Sequence, residues 1–306
     1  MGIKLFTEPE LENPDLLCGW PGIGNIGLLA VNTLRGQLDA QEFGEIEPWD
    51  FFYPTRVSIR NGLLRGLEFP TNRFYYKKLG KRDLIFFIGE EQPTEGKGRT
   101  YARGGKAYQM ANLVVDVAEK FGCRRIYTSG ACVAPIHHTI KPRVISVVSS
   151  ESLIAEVERY PNTVFINERG AREGGGVITG LNGLLLAVAK KRGLESVCLM
   201  GEIPDWLSSS PFPYPKASKS VLEVFAEILG ISIDHNVLNE MVVRIEEIVA
   251  GVYSAFPAEI KERYDERRLA IQARPGGITE ADSRWIKDHI DEIFQKKGEQ
   301  GGEKSV

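Results

Sequence analysis

Three glycines at G-x-G-x-x-G spacing carry the most specific chemistry this sequence could perform. Gly22, Gly24 and Gly27 lie in "CGWPGIGNIG", between an apolar run and a helical pattern. In that context the spacing is the dinucleotide fingerprint, in which glycines let a pyrophosphate approach a helix N-terminus. Glu45 and Glu47 even fall where the ribose-binding acid belongs, about 20 residues on. Two neighbours weaken that reading. Pro21 constrains the turn, and Trp20 puts a bulky ring where strand meets loop. Two plainer readings stand beside it. The loop could hold a phosphate or carboxylate on its backbone N–H groups, or it could be a tight turn packed on small residues. Gly22, Gly24, Asn25 and Gly27 are the ligand candidates in the first case.

Four other polar clusters follow candidate strands. Glu90 and Gln92 end "DLIFFIGEEQP", and a glycine-rich basic stretch, "GKGRTYARGG", comes next. "TSGACVAPIHHT" contains Ser129, His137 and His138. Thr179 and Asn182 open a helix in "ITGLNGLLL", and Glu202 follows "SVCLMG". Ligands of open α/β sheets bind outside the carboxyl ends of the strands. Parallel strands would therefore bring Gly22, Gly24, Asn25, Gly27, Glu90, Gln92, Thr179, Asn182 and Glu202 into one cleft. Glu90, Glu91 and Glu202 could supply an acid–base pair, although hydrogen bonding or solvation is the simpler role for them. The histidine pair has no i+4 partner for zinc, and Ser129 is not in G-x-S-x-G. No phosphate-binding G-x-x-x-x-G-K-[ST] occurs. No reaction, metal or cofactor is expected from these residues.

The elements that must position them alternate. Short apolar runs ("DLLCGW", "DLIFFIG", "RRIYTSG", "RVISVV", "SVCLMG") read as buried strands. Helical patterns cover 25–34, 103–121 and 180–191. The expectation is an α/β core with a largely parallel sheet. Asn61-Gly62 signals a two-residue hairpin turn over 57–69, expected to attach to that sheet. After Glu202 a loop with four prolines, "IPDWLSSSPFPYPKAS", gives way to helices at 216–229, from Asp234 to about 250, from about Pro257, and after Thr279, where Asp282 completes an approximate capping box. The expected division is an α/β core at 1–215, a helical region at 216–296 packing on it, and a polar tail at 297–306. Trp206, Phe212 and Tyr214 are candidate partner anchors if exposed, and core residues if not.

The 306 residues are 42% hydrophobic, enough for a substantial core, and the net charge of −3 gives no basic field for nucleic acid. No apolar run reaches the length that spans a bilayer, and no secretory signal opens the chain. Four scattered cysteines without C-x-x-C suggest reduced thiols and a cytoplasmic setting.

Taken together, "GWPGIGNIG", "PTRVSIRNG", "GEEQP" and "ITGLNGLLL" followed by "LMGEIP" resemble the proteasome assembly chaperone family, in its chaperone-2-like branch, over roughly 16–250. The resemblance implies a three-layer fold like nucleoside phosphorylases and nucleoside hydrolases, a twisted mixed sheet flanked by helices. It also implies a non-catalytic, protein-binding homo-oligomer, whose further partners would be proteasome α subunits where the cell has a proteasome. Some members dock through a C-terminal hydrophobic-Tyr-any tail. Ser305 stands at the tyrosine position here, so docking by that route is not expected. The alternative is an enzyme or sensor that takes a nucleoside-like or phosphorylated ligand in the cleft.

Overall fold

The computed structural model describes residues 2–95, 102–165 and 176–272. Most of the basic glycine-rich stretch, the helix expected after Thr279 and the polar tail lie outside these residues. The chain runs through β1 (Ile3–Leu5), β2 (Asp15–Gly19), α1 (Ile26–Gln37) and β3 (Gln41–Ile46). It continues through β4 (Arg56–Arg60), β5 (Leu63–Glu68), β6 (Asn72–Lys77), β7 (Leu84–Gly89) and α2 (Gly105–Lys120). Next come β8 (Arg125–Ala134), β9 (Val144–Val148), α3 (Ile154–Val157), β10 (Thr163–Phe165) and α4 (Gly180–Lys191). The last elements are β11 (Glu195–Pro204), α5 (Pro215–Leu229), α6 (Asn236–Ser254) and α7 (Ala258–Gln272).

One nine-stranded sheet has the order β1-β3-β6-β7-β2-β8-β11-β9-β10. Its centre, β7-β2-β8-β11, is parallel. Pairing turns antiparallel on both flanks, at β6 with β7 and at β9 with β11. The alternation of side chains along each strand builds two cores. Leu17, Tyr127, Val197 and Leu199 pack against α1 and α5 on one face. Leu16, Cys18, Phe87 and Ile126 pack against α2 and α4 on the other. The result is a mixed sheet between two helical layers, as the sequence predicts.

The hairpin does not join this sheet. Asn61 (φ 53°) and Gly62 (φ 74°) make the expected turn, but β4 and β5 form a separate two-stranded ribbon. The reason is the register of β3, which pairs directly with β6 and closes the edge the hairpin could have used. The strand order also removes the dinucleotide reading. β6 and β7 stand between β3 and β2, so Glu45 and Glu47 are far from the glycine loop, and Glu45 pairs with Lys4 at 3.6 Å.

The compact unit runs through α5 and α6 to Phe256, and Pro257–Val306 is a second unit whose described helix is α7. Pro215 starts α5 at a position where its missing N–H costs nothing. Gly230, left-handed at φ 65°, ends that helix.

Cys18, Cys123 and Cys198 are buried and Cys132 is half-buried, and none of the four is in a disulfide. Burial raises all three buried thiols, that of Cys198 to about 12. Thiolates are the reactive form. Ellman's reagent at pH 8 should therefore find at most one fast thiol in the native protein, Cys132, and four after denaturation. Four fast thiols in the native state would contradict this core.

Candidate functional site

The carboxyl ends of β2, β8 and β11 open between the first turns of α1 and α4. There, Gly22, Gly27, Gln92, Thr179 and Asn182 line one cavity of about 110 Å³. Five of the nine cleft residues read from the sequence thus converge. Trp20, Ile26, Ile178 and Met200 supply its apolar wall, and among the described residues no lining side chain carries a charge. Gly24 and Asn25 instead line, with Gly22, a neighbouring open depression of about 490 Å³ that reaches Ser208 and Phe212.

The three loop glycines have different roles. A Cβ on Gly27 would lie 2.1 Å from the Ser129 carbonyl oxygen, so this glycine lets α1 lie against β8. Gly24 takes φ 57°, and a Cβ there would press on Tyr214 and Ile203 at 3.0 and 3.1 Å. Gly22 has open space around it. Asn25 is also left-handed, at φ 47°. Its Oδ1 accepts the Gly22 N–H at 3.3 Å, and its own N–H donates to the Gly22 carbonyl at 2.9 Å. The Tyr214 N–H donates to the Gly24 carbonyl at 2.8 Å, which ties the loop to the proline-rich segment. Trp20 is buried edge-on to Phe87, with 6.2 Å between centroids.

Gln92 is the central polar residue. It is 6% exposed. Its Nε2 donates to the Pro21 carbonyl at 2.6 Å, while Oε1 accepts the Ala102 and Leu181 N–H groups, each at 3.2 Å. One side chain therefore fastens the glycine loop to the start of α4. It also fills an N–H that an anion at that helix end would need.

The carboxylates expected in the cleft are committed elsewhere. Glu202 lies inside β11 rather than beyond it, because that strand continues to Pro204. It is 1% exposed and forked by Arg143, with Nε at 3.1 Å and Nη2 at 2.9 Å. Glu90 points to the β6 side, where Oε2 accepts the Thr71 N–H at 2.9 Å. Neither glutamate lines the cavity, so an acid–base pair is not assembled there. Nothing in the sequence linked Glu202 to Arg143, since 59 residues separate them.

Of the proposed anchors, Tyr214 is 2% exposed and belongs to the core, so its ring does not face a partner. Burial pushes its phenol up, with Glu246 and Glu202 adding to the shift. Trp206 and Phe212 are half-buried. Trp206 packs against the buried His138 at 5.9 Å and against Phe256 at 5.0 Å. The histidine pair thus sits in an aromatic cluster with Tyr253. Among the described residues, no group of three or more His, Cys, Asp or Glu could hold a metal ion. No described helix is long and apolar enough to cross a membrane.

The fold has counterparts among known proteins. The proteasome activator PbaB of Pyrococcus furiosus is 32% identical and superposes with a TM-score of 0.68, covering 82% of this chain and 97% of its own. PbaA of the same organism, a homologue of proteasome-assembly chaperone, shares the fold at 24% identity and TM-score 0.59, covering 87% and 99%. An uncharacterised protein of Methanocaldococcus jannaschii is 28% identical over 291 residues, 93% of this chain and 98% of that one. The PAC2 family model matches residues 16–252, and the chain belongs to the PAC2 family.

Proposed function

We propose that this chain is a protein-binding homo-oligomer of the cytoplasm whose partners are proteasome subunits. The observation that carries this reading is its likeness to a proteasome activator over 97% of that protein's length at 32% identity. The site supports it by what it can and cannot accommodate. The cavity of about 110 Å³ is smaller than the roughly 300 Å³ at which small-molecule sites begin. The described residues that line it include no charged side chain, and the nearby Glu90 and Glu202 are held by structural bonds. The open depression between the glycine loop and the 208–212 segment suits a contacting side chain of another protein better than an enclosed ligand. Fold alone does not give function, so the test is direct. Affinity recovery of the tagged protein from an extract of its own cell, read by mass spectrometry, should return proteasome subunits in stoichiometric amount. Recovery of the tagged chain alone would overturn the reading.

A further inference from the structure

We draw no further inference here: the strongest candidate, the exposed apolar side chains Val57, Ile59, Leu63, Leu64 and Leu67 of the β4–β5 ribbon, carries none because nothing in the structure shows what covers them.

Discussion

Gly27→Ala is expected to be the most damaging single-methyl change in the glycine loop. The added carbon would sit 2.1 Å from the Ser129 carbonyl oxygen. That atom is strand backbone between β2 and β11, so no rotamer change relieves the clash, and α1 must lift from β8. Overpacking usually costs 1–3 kcal/mol. With backbone on both sides, about 3 kcal/mol or more is expected, a fall of roughly 6–12 °C in Tm for a domain of this size. Gly24→Ala should cost less, about 1–2 kcal/mol, because the left-handed φ of 57° is the main penalty. Gly22→Ala has nothing to strike and should stay within about 0.5 kcal/mol of the parent. Thermal melts of the three variants give the order. A loop whose glycines serve an incoming ligand would show small, similar losses in all three.

Gln92→Leu is the second large effect. Leucine fills a similar volume but offers no bonds. The change strands the Ala102 and Leu181 N–H groups and the Pro21 carbonyl, in a place where the glutamine is 6% exposed. An unsatisfied buried group costs about 1–3 kcal/mol. Partial access of water at the cavity brings the sum to about 2–4 kcal/mol. Gln92→Glu should lose less at low pH, where the protonated carboxyl can accept both N–H groups and donate to the Pro21 carbonyl, than at neutral pH, where a buried carboxylate would set an oxygen against that carbonyl. Urea denaturation of both variants checks this, and a Gln92→Glu loss equal at the two pH values would contradict the bonding scheme. Both predictions describe the same thing, a carboxyl edge held shut by backbone packing and one amide.

Much of this edge was legible in the sequence because it obeys local rules. Apolar runs marked β2, β7, β8, β9 and β11, and α4 spans the predicted 180–191. The order of strands was not legible. It depends on β3 meeting β6 across the whole hairpin, and on β9 arriving antiparallel to β11, and neither pairing leaves a local signature. The same gap explains the site. Five cleft residues converge because they follow parallel strands or open α4. Glu202 does not, because β11 runs longer than its apolar core and Arg143, distant in sequence, takes the carboxylate. Among its prolines Tyr214 reads equally as an anchor or a core residue, and the fold settles it as core, its ring buried and its N–H bonded to the Gly24 carbonyl. The ribbon was legible from Asn61-Gly62, but its isolation followed only from the closure of the β3–β6 edge.

The role proposed for this PAC2-family chain is the binding of proteasome subunits. The most direct measurement mixes the purified chain with purified proteasome α subunits from the same source and follows the mass of the eluting species by light scattering. The account predicts a complex that contains both proteins at a fixed ratio and persists through dilution to micromolar concentration. Two separate peaks at every concentration would contradict it.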